Sequence, residues 1–129
     1  GGLVGARLAS VPGASDVFRG GIVAYDAAVK FELLDVPEGP VVTEDAAKAM
    51  ALGVRRVLGA DVGVAATGVA GPAEQEGRPV GLVCLAVAVG GDDEVVSAEI
   101  RLPGQRNQVR EFSVITLLAM LRRELDAGG

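Results

Sequence analysis

Three stretches of the sequence carry side chains whose types and spacing suit chemistry. In the run YDAAVK, Tyr25 leaves a predicted strand and Lys30 follows about one turn into the next predicted helix. A lysine ammonium that is stripped of water, or placed near a second cation, loses its proton more readily and becomes a general base. A phenol beside it can orient a reactant or relay a proton. The run AATGVAGP at 65–72 carries no charge of its own. Its glycines let backbone N–H groups approach a ligand closely, its small side chains leave room, and the Thr67 hydroxyl can donate and accept. Arg106 falls in the first turn of the predicted last helix. A cation there opposes the helix dipole, and an anion bound at that N-terminus removes the conflict. Arg19 is a weaker candidate of the same type.

Each has a plainer reading that the residues alone leave open. Asp26 and Lys30 stand at helical i, i+4 spacing and can form a surface pair worth about 0.3–0.5 kcal/mol. Tyr25 can be a strand-end residue with a wet hydroxyl, AATGVAGP a tight turn after a buried strand, and Arg106 a solvated cation. The loop is not a Walker A motif, because no lysine follows its second glycine at the needed place, and it lacks the G-x-G-x-x-G pattern. The chain contains no histidine. That excludes Ser-His-Asp or Cys-His chemistry carried within it, and every His-ligated metal site. Cys84 is the single cysteine and sits in an apolar strand, so it reads as core and no internal disulfide forms. A cytoplasmic setting fits that usage.

These residues need a scaffold. A chain of 129 residues suits one domain, and half of its residues are hydrophobic. Aromatics are scarce, so Ala, Val and Leu must build the core. The net charge of −5 argues against a sequence-independent nucleic-acid binder. No apolar run is long enough to span a bilayer as a helix, so no membrane partner is expected. The start GGLVGARL lacks methionine and reads as a cut end of the domain.

The local signals give helix, strand, helix, helix, strand, hairpin, helix. A helix over 3–10 is broken by VPGAS, and 17–25 reads as a strand containing a glycine pair. Asp26 caps a helix over 27–34. Thr43 caps another, with Glu44 and Asp45 in its first turn, Ala46, Ala47, Met50, Val54, Val57 and Leu58 at helical spacing, and Gly59 as its stop. A strand over 61–67 looks buried on both faces. A second strand at 80–89 turns at Gly90, Gly91, Asp92 and Asp93 into EVVSAEIRL. Pro103 and Gly104 start the last helix, striped by Val114, Leu117, Leu118, Leu121 and Leu125. Strands alternating with helices predict an α/β fold: a three-layer α/β/α sandwich with a mixed, mostly parallel sheet of about four to five strands. Ligands in such folds bind beyond the carboxyl ends of the strands, where Tyr25 and the glycine-rich loop fall.

Five stretches, FRGGIVAYDAAVKFELLDV, the VTEDAA helix start, GADVGVAATGVAGP, RPVGLV and the PGQR helix start, occur in one order. Together they resemble the C-terminal domain of the competence/damage-inducible protein CinA family, the nicotinamide-nucleotide amidohydrolases (NMN deamidases), over nearly the whole chain. The resemblance implies hydrolysis of the carboxamide of nicotinamide mononucleotide to nicotinate mononucleotide and ammonia, in pyridine-nucleotide salvage, without metal or other cofactor. It implies that Tyr25 and Lys30 match the family's Y-x-x-x-x-K residues. It carries Thr67, Gly68, Ala70, Gly71 and Pro72 over as substrate-pocket wall, and Arg106 as the arginine of a late G-x-R stretch. Gly1 and Gly2 match the Gly-Gly of a Glu-Ser-Cys-Thr-Gly-Gly segment, so the expected serine nucleophile lies just before Gly1. The connection VPEGPVVTED is shorter than the family's usual one.

The expected mechanism is therefore of the Ser-Lys type. The implied partners are a small nucleotide substrate and further copies of the chain. The alternatives are a non-catalytic nucleotide-binding or assembly module, and a plain structural domain. The mechanism requires Lys30 and Thr67 to lie on the same side of the sheet.

Overall fold

Two capped helices set the frame on one side of the molecule. In the computed structural model, which describes residues 1–91 and 94–128, the Asp26 carboxylate accepts a hydrogen bond from the Ala28 N–H at 2.9 Å. This opens α2, Ala27–Leu34. The Thr43 hydroxyl accepts from the Ala46 N–H at 3.0 Å and opens α3, Glu44–Leu58. Gly59 closes α3 in the left-handed conformation, as its sequence position predicts. The other helices are α1, Leu3–Ala9, and α4, Arg106–Gly128. Among the described residues no helix is long and apolar enough to cross a membrane.

The sheet has three strands, β1 (Gly63–Gly68), β2 (Leu82–Ala88) and β3 (Val95–Arg101), in that order. Both pairings are antiparallel, with Thr67 opposite Cys84 and Cys84 opposite Glu99. Every residue of the central strand β2 is buried. Its alternation feeds two cores. Cys84, Ala86 and Ala88 pack with Ala65 against Ala47, Met50 and Ala51 of α3. Val83, Leu85 and Val87 pack against Val109, Leu117 and Met120 of α4, with Val4 of α1 at the margin. Helices therefore cover both faces, and the α/β/α layering is present.

The sheet itself differs from the expectation. Among the described residues it is three-stranded and wholly antiparallel, where a mostly parallel sheet of about four to five strands was predicted. The connection from β1 to β2 contains no helix, so it returns the chain antiparallel instead of crossing over to a parallel strand. Residues 17–25 form no strand. They alternate as a strand does, with Ile22 and Ala24 packed into the α3-side core and Val23 and Tyr25 outside, but no neighbour completes a ladder. Alternation reports one buried face and not backbone pairing, which is why the sequence misleads here. Strand β1 is also less enclosed than predicted: Gly63, Ala65 and Thr67 are buried while Val64 and Ala66 are half-buried. Among the described residues, β2 is the strand that is buried throughout. Asp92 and Asp93 of the predicted turn lie outside the described residues.

Cys84 is core, as expected, and burial followed by the nearby Glu99 carboxylate pushes its thiol up to about 11. Native protein should therefore alkylate at Cys84 at least about tenfold more slowly than unfolded protein at neutral pH, measured by iodoacetamide labelling. Leu85→Ala should lower the unfolding free energy by about 2–5 kcal/mol in urea titrations. Val96→Ala, at a site 40% exposed on β3, should cost well under half as much.

Candidate active site

The site is organised around a dipeptide with no regular structure. Val41 and Val42 are 2% and 1% exposed, just ahead of α3. Buried backbone N–H and C=O groups must find partners, and no strand or helix supplies them here. Side chains of the β1–β2 connection do. The Thr67 hydroxyl donates to the Val41 C=O at 2.8 Å. The Glu76 carboxylate accepts from the Val41 N–H at 2.9 and 3.2 Å and from the Val42 N–H at 3.0 Å. Arg78 Nε donates to the Val42 C=O at 3.2 Å, and the same guanidinium pairs with Glu99 of β3 at 3.3 Å. The valine side chains complete the joint by packing with Val69, Leu82, Ala27 and Phe31. The glycine-rich loop, α2 and the start of α3 are thereby one unit.

Two glycines of that loop are dictated by its approach to β2. A Cβ on Gly68 would lie 2.8 Å from a Val83 methyl and 2.9 Å from the Leu82 carbonyl oxygen. Gly71 has φ +91°, and a Cβ there would lie 2.7 Å from a Val80 methyl. Ala70 packs into the α4-side core, and Pro72 is exposed beyond it. Thr67 is 5% exposed and gives its proton to Val41, so its first role is to anchor the loop.

Arg106, at the N-terminus of α4, crosses the end of the sheet. Its guanidinium donates to the Gly71 C=O at 2.7 Å and to the Tyr25 hydroxyl at 2.9 Å. Arg106 is exposed, as its plainer reading expects, and these two bonds hold its guanidinium in one place. Tyr25, the loop and Arg106, far apart in sequence, meet at one place. Tyr25 itself stays 75% exposed, so this end is open to solvent.

Lys30 is 9% exposed on α2. Among the described residues it makes no hydrogen bond or ion pair; the Asp26 carboxylate caps Ala28 instead of pairing with it. Burial holds the Lys30 ammonium below the usual lysine range, while the carboxylates of Glu76 and then Asp26 act in the opposite direction. Thr67 shares the face of β1 that carries Ala65 and packs towards α3, and α2 packs on α3. Lys30 and Thr67 are therefore on the same side of the sheet.

The start of the chain reaches the same region. Burial, then the charges of Arg110, Arg106 and Lys30, holds the Gly1 amino group below its usual range. A Cβ on Gly1 would lie 3.7 Å from the Arg110 guanidinium, and one on Gly2, at φ +90°, would lie 3.3 Å from a Val23 methyl. Arg19 takes no part: its Nε donates to the Leu58 C=O at 3.1 Å, at the end of α3. Among the described residues no group of three or more His, Cys, Asp or Glu side chains is placed to hold a metal ion. The arrangement supplies a lysine biased towards its neutral form, a phenol, and two arginines able to hold an anion.

Sequence reasoning missed Glu76, Arg78 and Arg110. Arg110 had a usable signal, since i, i+4 spacing puts it on the same face of α4 as Arg106. Glu76 and Arg78 stood in a polar stretch with no motif, and their roles arise only where the loop meets residues 41–42.

Comparison with known proteins gives a consistent result. The profile of the family described as CinA C-terminal domain matches residues 1–125. The chain is 48% identical over 130 residues to a CinA-like protein of Frankia casuarinae, covering 97% of this chain and 30% of that protein. It is 45% identical over 135 residues to a CinA-like protein of Dictyoglomus turgidum, covering 97% of this chain and 31% of that one. The chain thus spans less than a third of these relatives. Among solved structures it is similar to a competence/damage inducible protein, CihA, of Agrobacterium tumefaciens, with TM-score 0.88 and 33% identity over 95% of this chain and 78% of that one. A competence-damaged protein (CinA) superfamily member from Klebsiella pneumoniae gives TM-score 0.92 and 26% identity over 98% and 82%.

Thr67→Val should cost about 1–3 kcal/mol in denaturant unfolding, because a buried carbonyl loses its donor, and Thr67→Ser should cost less. Lys30 carries a lower pKa folded than unfolded, so the unfolded chain binds the extra proton between the two values and stability rises with pH across that window. Lys30→Met should flatten that part of the stability–pH curve, followed by thermal unfolding at a series of alkaline pH values.

Proposed function

The chain belongs to the CinA C-terminal domain family, and from that membership we propose that it hydrolyses the carboxamide of nicotinamide mononucleotide. The observation that carries the reading is Lys30: a lysine whose side chain is packed to 9% exposure, whose ammonium makes no hydrogen bond or ion pair among the described residues and still reaches solvent, in a region that also holds Arg106 and Arg110. A packed stem that lowers the lysine pKa, with an amine left unpaired and reachable, suits a general base.

In the proposed reaction the serine of the segment just upstream of Gly1 attacks the carboxamide carbon. Its oxygen–carbon bond forms as its proton passes to neutral Lys30. The developing oxyanion is met by backbone N–H groups of the glycine-rich turns. The tetrahedral intermediate collapses, the carbon–nitrogen bond breaks, and the departing ammonia takes the proton from Lys30. Water, deprotonated by Lys30 in its turn, then hydrolyses the acyl-enzyme ester to nicotinate mononucleotide and frees the serine. Tyr25 orients the reacting groups. Arg106 and Arg110 hold the phosphate, with Arg106 fixed by Tyr25 and Gly71. Gly1, Gly2, Gly68, Ala70 and Pro72 form the wall beside the substrate, and Thr67 secures that wall from behind.

The test is ammonia release from nicotinamide mononucleotide by protein extended upstream of Gly1. Lys30→Ala should reduce kcat by about 10²-fold or more, the usual range for a lost general base. Arg106→Ala should act mainly by raising KM. Binding without turnover by folded, extended protein would overturn the hydrolase reading in favour of a nucleotide-binding module.

A further inference from the structure

We propose that Glu76 is a positioning residue of this site, holding Val41–Val42 against the glycine-rich loop while its negative charge acts through space on Lys30. The inference rests on the reading of Lys30 as the general base, but its geometry stands by itself. One carboxylate accepts from two consecutive backbone amides, Val41 N–H and Val42 N–H, using both oxygens. Charge-assisted bonds of this kind are stronger than neutral ones. The Glu76 backbone adopts φ +55°, a left-handed conformation uncommon for a residue other than glycine. Glu76 and Gly77, at φ +55° and +71°, are the two central residues of a tight turn closed by Gln75 and Arg78, whose backbone groups exchange hydrogen bonds at 2.7 and 3.3 Å, and this turn aims the Glu76 side chain from a fixed backbone. The negative charge also lies just ahead of α3, where it complements the helix dipole.

The second half of the role is electrostatic. Two carboxylates act through space to keep the Lys30 proton on, Glu76 and Asp26, of which Glu76 exerts the larger effect. Asp26 is occupied in capping α2. Burial drives the Lys30 proton off and Glu76 holds it on. Glu76 therefore sets the pH at which Lys30 becomes neutral, and it does so from the loop that carries the glycine-rich wall. Wall position and base strength are linked through one side chain.

The chain contains only two lysines, Lys30 and Lys48, so the coupling can be read directly. In protein carrying ¹³C-labelled lysine, each Cε signal is followed through an alkaline titration, with Lys48 as internal reference. Glu76→Gln keeps an acceptor oxygen and removes the charge; it should move the Lys30 midpoint down and leave Lys48 in place. Asp26→Asn should move Lys30 less, and Glu76→Asp, which restores the charge, should return the midpoint towards wild type. Glu76→Ala should also speed hydrogen exchange of the Val41 and Val42 amides by roughly tenfold or more. In the extended, active protein, Glu76→Gln should shift the acidic limb of kcat/KM to lower pH, because an ammonium of lower pKa is a stronger acid and becomes neutral at lower pH. An unchanged Lys30 midpoint in folded Glu76→Gln, or an unmoved acidic limb, overturns the proposal. Failure of the hydrolase reading is seen separately, as a shifted Lys30 midpoint in a protein that releases no ammonia.

Discussion

The site depends on the satisfaction of one buried dipeptide. Val41 and Val42 lie under the molecule's surface without strand or helix partners, and their backbone groups are met by Thr67, Glu76 and Arg78. Each unmet group would cost about 1–3 kcal/mol, so this joint fixes the distance between the glycine-rich loop and the helices facing it. Everything proposed to be chemical hangs from it. Thr67 is the residue before Gly68, the Glu76 charge acts on Lys30, and the loop carbonyl of Gly71 receives Arg106. A loop that served only as a turn would need none of these ties.

The same joint explains how residues on both layers come to act together. Lys30 comes from the α3 side of the sheet and Arg106 from the helix on the opposite face. Arg106 reaches the loop after β1 and Tyr25 at the strand ends, and Lys30 lies on α2, the helix that follows Tyr25. Arg106 pays for its unfavourable position in the first turn of α4 with two hydrogen bonds, and Lys30 is buried with only partial compensation from Glu76 and Asp26. Strain of this sort, concentrated at one end of a well-packed sheet, is where proteins trade stability for reactivity.

Capping chemistry and apolar periodicity made most of the helices legible. Asp26, Thr43 and Gly59 act where their types and neighbours predict, because a cap is a local hydrogen bond. The hairpin strands were equally plain, since an unbroken apolar run fits only a central strand buried on both faces, as β2 is. The sheet's sense was not legible, because residues 17–25 have the alternation of a strand without its ladder, and a helix-free connection gives no periodic signal. At the site, Tyr25, Lys30, Arg106 and the loop were visible as types at meaningful spacing. Glu76 and Arg78 were not, because their partners are backbone groups more than thirty residues away, which no local pattern encodes.

The central claim is that one end of the sheet binds a nucleotide with its carboxamide towards Lys30 and its phosphate towards Arg106. A crystal structure of the N-terminally extended protein with nicotinamide mononucleotide tests it most directly. The account predicts the carboxamide within hydrogen-bonding reach of Lys30 Nζ and the phosphate on the guanidinium groups of Arg106 and Arg110. A nucleotide bound elsewhere, or with its phosphate on Lys30 and its ring on Arg106, would contradict it.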